Sequence, residues 1–570
     1  MRGTVGRFVF AVLCGVAAMV SPGIARADIG IQGPAYVNTG GSPTTSKPES
    51  KLWFNDGFWW ASMAVPTSAT DSDYHIFKLV GNTWTDTGVV VDMRDSSRQD
   101  VLWDGTKLYV ASHKFEQTPT FGATPGDEMR LYRFSYAGGT YTLDADFPVP
   151  IDSRRSEALV IDKDSTGMLW ATWVQQASAG SPYQVYVSHT TGNCASGAAA
   201  SCAFTAPIVL AANVTSDDIS SLIHFGGNKI GVMWSDQVAS AMMFAVHVDG
   251  TADTAWSIET AIVGPKQADD HINLKADSAG RVYVATKTKF VSLTALNPQT
   301  RLLVRDTSAT WSNHTISFSP DRRTRPIVAL DEQHGIIHVF ETGPHPSGAD
   351  PENGGNIFES TSSMSNINFA VLSRRPVIQD DDSPGMNNAT STKQNVSATT
   401  NLVVLASNNL TRSYWHHFES LASPPPPPGG GGGGCTIRGT SGPDIINGTA
   451  ARDVICGLGG NDIIRGLGGN DVLRGDRGND SLVGGGGADR LVGGRGNDRL
   501  SGGRGPDSLR GGSGRDRLVG SGGRDVFHAG AGRDTLLARD GRRELVDGGG
   551  GRDRARVDRR DIRRSIEAPL

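Results

Sequence analysis

"GLGGNDIIRGLGGNDVLRGDRGND", residues 457–480, sets an aspartate at every ninth position, among glycines and two residues ahead of a large aliphatic. The register holds over eleven consecutive units, from GTSGPDIIN at 439 to AGAGRDTLL ending at 537. The sixth position is always aspartate: Asp444, Asp453, Asp462, Asp471, Asp480, Asp489, Asp498, Asp507, Asp516, Asp525 and Asp534. The eighth is always large and apolar: Ile446, Ile455, Ile464, Leu473, Leu482, Leu491, Leu500, Leu509, Leu518, Phe527 and Leu536. Two residue types kept in step over so many periods mark a repeat architecture rather than a biased composition.

The period dictates a geometry. The last three residues of each unit make a short strand whose central side chain points inward. The first six reverse the chain, and their glycines permit positive φ and let carbonyls turn toward a common point. Successive turns stack at about 4.8 Å. Aspartates aligned at that spacing repel one another unless a hard cation lies between them. Ca²⁺ accepts six to eight oxygens in flexible geometry, whereas Mg²⁺ demands an octahedron and keeps its water. The eleven aspartates are therefore candidate side-chain ligands for several calcium ions.

These units resemble the GGxGxDxUx nonapeptide of the RTX, or hemolysin-type, calcium-binding repeat proteins. The resemblance covers residues 435–537. It implies a parallel β-roll with two nonapeptides per coil and Ca²⁺ between turns stacked on the same side, the sixth-position aspartates giving side-chain oxygens and the other ligands being backbone carbonyls. The fifth position departs from the family's usual Asn or Asp: it is arginine at 452, 515, 524 and 533 and proline at 443 and 506. Past Leu537 the register breaks, with Arg543 where aspartate is due, and it returns in part around Asp553. The tail "RARVDRRDIRRS" reads as a solvated charged end, with capping of the roll or polyanion binding as alternatives. One apolar residue in nine cannot offset the conformational entropy of so glycine-rich a chain. Calcium is thus expected to fold the roll, and only where it is abundant.

The start of the chain fits that setting. Arg2 and Arg7, an apolar run from Phe8 to Val20 and the small-x-small site Ala25-Arg26-Ala27 have the layout of a secretory signal peptide over residues 1–27. The run is short for a membrane span. A secreted, extracellular protein is expected, with no membrane span after signal removal and no nucleic-acid partner. The four remaining cysteines then suggest disulfides 194–202 and 435–456, with a zinc site as the alternative.

"ASPPPPPGGGGGGC", residues 422–435, joins a stiff polyproline run to a flexible glycine run, so 422–434 reads as a linker. It separates residues 28–421 from the roll at 435–537 and a degenerate, Arg-rich tail at 538–570. Charge follows the same division: from Cys435 onward there are 24 arginines, no lysine and 19 acids.

Residues 28–421 carry strand pairs split by a turn, at 51–63, 101–113, 159–173, 222–234, 272–287, 327–341 and, more loosely, 395–407. Further strand pairs follow most of them, and no helix-period segment of any length occurs. Four short strands per repeat describe a β-propeller. Seven cores give seven blades, with six blades or an elongated β-sandwich as alternatives. "IGIQGPAYV" near the mature N-terminus is expected to close the last blade. The fold class is all-β throughout.

Polar clusters fall just before the first strand of several repeats. They would place Arg98, Asp100, Arg154, Arg155, Glu157, Asp217, Asp218, Asp269, Asp270, His271 and Arg323 around one channel mouth. Carboxylates with arginines there suit a sugar acid or a metal ion, and the architecture weakly resembles sialidase-like propellers. No clean S-x-D-x-G-x-x-W box, HExxH or GxSxG is present. Polar channel mouths are common to propellers of every function. A non-catalytic propeller binding an extracellular glycan or surface protein is therefore preferred to a carbohydrate-active hydrolase. Most of Trp53, Trp59, Trp60, Trp103, Trp170, Trp173 and Trp234 read as core. His416 and His417 alternate across a strand and cannot share a metal.

Overall fold

The computed structural model describes residues 29–37, 43–44, 48–94, 96–119, 122, 125–195, 198–290, 297–345, 355–369, 375–380, 382–421, 435, 437–440, 442–566 and 568–569. The segment read as a signal peptide and the linker at 422–434 lie outside them.

Seven antiparallel sheets make up the propeller. Their innermost strands are Leu52–Asn55, Ser97–Trp103, Leu159–Lys163, Ser220–Phe225, Ile272–Ala276, Thr324–Asp331 and Met386–Thr390. These follow one another round a ring, which Leu52 closes through its bridge to Thr392. The strands next to them, such as Phe58–Pro66 and Leu169–Gln176, pack between blades and are apolar on both faces, so they read as continuous hydrophobic runs. Outer strands such as Thr83–Asp92 alternate with solvent. Seven blades are correct, and Ile31–Ala35 does close the last one, pairing antiparallel with Ser413–Glu419. The looser seventh copy needs correction: residues 395–407 span a loop and the second strand, while the inner strand, Met386–Thr390, lies upstream. Trp53, Trp59, Trp60, Trp170, Trp173 and Trp234 are buried as core, and Trp103 is partly buried against them. His416 is buried and His417 half-buried, in keeping with their alternation.

The C-terminal region is a parallel β-solenoid of two eight-stranded sheets. Each unit pairs with the unit two further on: Ile464 lies against Leu482, and Leu482 against Leu500. Two nonapeptides per coil follow directly. The eighth-position side chains form one interior column from Ile446 to Leu536, extended by Val546 and Ala555. The strands are longer than three residues over most of the roll, as in Ile463–Gly468, because the opening residues of the next unit join the ladder. The ladder also runs past Leu537. Leu545–Gly551 pairs with Val526–Gly532 after a one-residue insertion, so Glu544, not Arg543, occupies the place of the missing aspartate.

Disulfides join Cys194 to Cys202 and Cys435 to Cys456.

Candidate metal sites of the roll and the propeller channel

The aspartates of the roll form two columns, one per side, each stepping by two units. Within a column the amide of one aspartate donates to Oδ1 of the next: Asp444 to Asp462, Asp462 to Asp480 and Asp480 to Asp498, each at 2.8 Å. The other side repeats this, Asp453 to Asp471 and Asp471 to Asp489 at 2.8 Å and Asp489 to Asp507 at 2.9 Å. Side chains and strands thus keep a single register. One carboxylate oxygen is fixed by an amide and the other is left over.

That second oxygen divides the aspartates into two groups. In the first two units a threonine at the second position supplies a partner: Thr449 gives its amide (2.6 Å) and hydroxyl (3.0 Å) to Oδ2 of Asp453, and Thr440 does the same for Asp444. From Asp462 through Asp534, Oδ2 is buried with no hydrogen-bond partner among the described residues. Nine consecutive orphaned carboxylate oxygens are far outside the usual run of satisfied buried polar atoms, and such groups call for an unrecorded ion or water.

The surroundings deepen the shortfall. From Asp462 to Asp525, Oδ2 lies where the opening glycine of its own unit would carry a Cβ, while Ala529 opens the unit of Asp534; at most of these glycines a carbonyl from the next coil faces the same point, as Gly502 O does beside Gly484 and Asp489. The fourth-position glycines, such as Gly487 at φ 134°, have a carbonyl of the preceding coil where a Cβ would stand. Burial first, then the neighbouring carboxylates Asp444 and Asp480, push the Asp462 carboxyl up to about 8, against the pull of the Asp444 amide. Burial, with like-charged neighbours, similarly raises Asp498 and Asp507 to about 7 and Asp471 and Asp516 to about 6. Columns of carboxylates this reluctant to ionise, cradled by glycines and carbonyls, are a donor set for a hard cation.

The structure adds a second stacking device that the period alone does not imply. Fifth-position asparagines accept from the fifth-position amide one coil on: Asn479 donates to Asn461 Oδ1 (2.7 Å), Asn497 to Asn479 (2.7 Å) and Arg515 to Asn497 (2.8 Å). Where arginine or proline stands at that position, the side chain has no acceptor to offer the following coil.

The propeller channel has a different character. Asp100, fully buried, accepts from the amides of Ser50 (2.7 Å) and Ile161 (2.8 Å) and pairs with Lys393 at 3.0 Å. Glu49 takes His113 Nε2 at 2.6 Å and pairs with Lys51, whose ammonium donates to the Gln99 carbonyl. Burial opposes ionisation of Glu49, but Lys51 and His113 beside it hold its carboxyl down at about 2. Lys275, donating to the Thr392 carbonyl, is lowered to about 7 by burial and then by Lys393. Residues 391–396 bridge the channel, bonding to the first blade through Leu52 and Phe54 and to the fifth and sixth through Ala276 and Asp331.

The expected constellation at one mouth is largely drawn into such braces. Arg154 is paired with Asp152 and Arg155 with Asp127. Asp218 closes a turn through the Thr215 and Gln237 amides, and Asp217 is exposed. Arg98 is buried over Phe115 and Arg323 over Phe358. Glu157 is buried. Asp269, Asp270 and His271 do come together, His271 Nδ1 lying 2.9 Å from Asp269 and 2.6 Å from Asp270. The partners that make the braces, Glu49, Lys51, Lys275 and Lys393, carry no local motif that would mark them in the sequence.

The model of the RTX calcium-binding nonapeptide repeat (4 copies) matches residues 429–464, 465–500 and 501–536. No curated protein matches the sequence significantly. Among solved structures, the chain is similar to the polysaccharide lyase Uly1, at 9% identity and TM-score 0.38 over 65% of this chain and 90% of that one. It is also similar to a PL25 ulvan lyase (12%, TM-score 0.37, 69% and 95%) and to the intramolecular trans-sialidase of Ruminococcus gnavus (10%, TM-score 0.34, 69% and 99%). The C-terminal region is thus a roll of RTX calcium-binding repeats, joined in one chain to a seven-bladed propeller.

Proposed function

We propose that this is a secreted protein in which several calcium ions fold the roll, and in which the propeller binds an extracellular glycan or surface protein without turning it over. Asp462 through Asp534 are the proposed side-chain ligands, supported above all by the unbroken series of buried Oδ2 atoms lacking a protein partner among the described residues. Asp444 and Asp453 belong to the same columns, but their threonine partners suit them to capping the first coil. The bound ion supplies positive charge between carboxylates that otherwise stay protonated or repel. The chain's part is to hold those oxygens in register, exclude side chains from the cradle by glycine, and bring carbonyls to the same point.

Residues 1–27 serve as the export signal in this reading, and the two disulfides suit an oxidising compartment. Residues 28–421, the linker at 422–434 and the roll are proposed as separate structural units. A binding role for the propeller, rather than hydrolysis, is supported by the buried braces that occupy its channel charges. The test is calcium binding to the full chain by titration calorimetry, with magnesium as control. Binding of several Ca²⁺ ions, reduced in Asp480→Asn and Asp489→Asn, supports the reading. Equal binding of Mg²⁺, or none of Ca²⁺, overturns it.

A further inference from the structure

The match to the repeat model ends at residue 536, yet the ladder continues to Ile562–Arg564 against Leu545–Gly551. Its continuation is built differently. In the repeats the turn before each aspartate is mostly glycine-rich. The turn before Glu544 is "ARDGRR", and the turn after the next strands is "DRRD". Acidic side chains therefore arrive where the repeats present bare backbone. Asp540 Oδ2 accepts from the Gly523 amide at 3.0 Å, which ties this turn to the coil before it. Asp558 Oδ2 accepts from Gly541 at 2.5 Å, and Asp561 accepts from Glu544 at 3.1 Å and from Asp558 at 2.6 Å, which ties in the coil after it.

Glu544 joins this network through its amide alone. It is 2% exposed, and neither Oε1 nor Oε2 has a hydrogen-bond partner among the described residues. Asp525, one coil earlier, likewise has an unpartnered Oδ2, and its carbonyl receives the Leu545 amide at 3.2 Å. Burial, then Asp540, Asp525, Asp561 and Asp558, push the Glu544 carboxyl up to about 8. The cations close by are Arg542, 3.7 Å from Asp540, and Arg539, 4.0 Å from Asp558, both largely exposed. A fully buried carboxylate with both oxygens unpartnered, with four further acids in the adjoining turns and the preceding coil, is costly unless a counter-ion is present.

We propose that Glu544, with Asp525, Asp540, Asp558 and Asp561, forms a cation site distinct from the repeat sites, and that it takes a hard divalent ion, Ca²⁺. Its donor set is mainly side-chain carboxylate, whereas each repeat site has one aspartate per turn and relies on carbonyls. It closes the end of the roll where the nonapeptide pattern stops. The site rests on the reading of the roll as calcium-binding but uses residues that the pattern does not assign.

The experiment is equilibrium dialysis of the full-length protein against calcium alone, counting bound ions in wild type and in Glu544→Gln. The expected result is a loss of one ion, with the calcium-induced change in far-UV circular dichroism retained. An unchanged count and affinity in Glu544→Gln overturns this site alone, whereas a wild type that binds no calcium overturns the roll reading with it. Should Glu544→Gln abolish the dichroism change, the Asp540→Asn/Asp558→Asn double variant decides, since both residues lie in turns outside the strands. Loss of one ion there sustains the site, and loss of none overturns it.

Discussion

Removing calcium should make the stability of the roll depend on pH in an unusual direction. An acid whose pKa in the folded state lies above its unfolded value of 3.8 favours the fold only while protonated. Its contribution is complete below about 3.8, declines as pH climbs toward the raised value and is gone above it. Asp462 at about 8, Asp498 and Asp507 at about 7, and Asp471 and Asp516 at about 6 set the window between roughly pH 4 and 8. A tenfold change in proton affinity between the folded and unfolded chain corresponds to about 1.4 kcal/mol. Even discounted heavily for solvent screening, five such sites cost the metal-free roll several kcal/mol at pH 8, comparable with the whole stability of a small domain. Calcium removes the penalty by binding the ionised form, so its affinity should rise over the same window as it displaces protons. The assay is the far-UV dichroism difference between calcium and EGTA, recorded on the full chain from about pH 4.5 to 8.5, which brackets the raised values. A small difference at the acid end, growing to a coil-to-β transition at the alkaline end, is expected. A metal-free roll that stays ordered through pH 8, or a calcium response that does not vary with pH, would refute the reasoning.

Four further outcomes are expected. Gly487→Ala places a Cβ on the Gly469 carbonyl at a residue with φ 134°, and should cost several kcal/mol and abolish the calcium-induced dichroism change. Leu491→Ala opens a cavity in the interior column and should destabilise the calcium-loaded roll by about 2–5 kcal/mol in denaturant titration. Asp100→Ala leaves Lys393 and two amides without their shared acceptor and should cost the propeller about 3–5 kcal/mol, read as a fall in its Tm. Reduction of Cys435–Cys456, a bridge spanning 21 residues, should weaken the first coils by about 3 kcal/mol and expose them to proteolysis before the rest.

What the sequence made legible follows from where each determinant lies. The roll was readable because its geometry repeats locally: Asp462 and Asp480 are alike in environment because they are alike in sequence, and their alignment across coils needs only the period. The propeller's apolar inner strands were readable for a similar reason, and blade closure followed from a leftover strand at Ile31–Ala35. The inner strand of the seventh blade was not. "MNNAT" lacks the apolar run of its counterparts, and its place is set by pairing with Leu402–Asn408 of the same blade rather than by composition. Glu544 escaped because a one-residue insertion shifted the count and the acid was longer by one methylene. The pairings of the channel charges escaped for a deeper reason. Asp100 meets Lys393 far along the chain, and Glu49 meets His113 across 64 residues, so neither pairing leaves any trace in spacing. The threonines that satisfy Asp444 and Asp453 were readable in principle, since G-T-x-x-x-D recurs in the first two units only.

The roll has two means of holding one coil to the next besides its strands, and they are unevenly distributed. The asparagine ladder runs from Asn461 through Asn497 and gives its last bond to the Arg515 amide. Beyond it, Arg533 follows Arg515 on that side and Arg524 follows Pro506 on the other, so no fifth-position side chain there offers an acceptor to the next coil. Each missing bond is worth about 1 kcal/mol. One carboxylate column, in contrast, continues without a gap through Asp516 and Asp534 to Asp553, and the other runs through Asp507 to Asp525 before Glu544 takes the next place. The later coils therefore depend more heavily on whatever ion neutralises those columns than the earlier ones do. It is at the end of that more dependent half that the glycine turns give way to Asp540, Glu544, Asp558 and Asp561. A carboxylate-rich terminal site is where extra cation affinity has most effect, because it anchors the coils that have lost their amide ladder. Arg515, Arg524 and Arg533 at the fifth position are then not a decay of the pattern. They remove a neutral stacking bond where a charged one takes over.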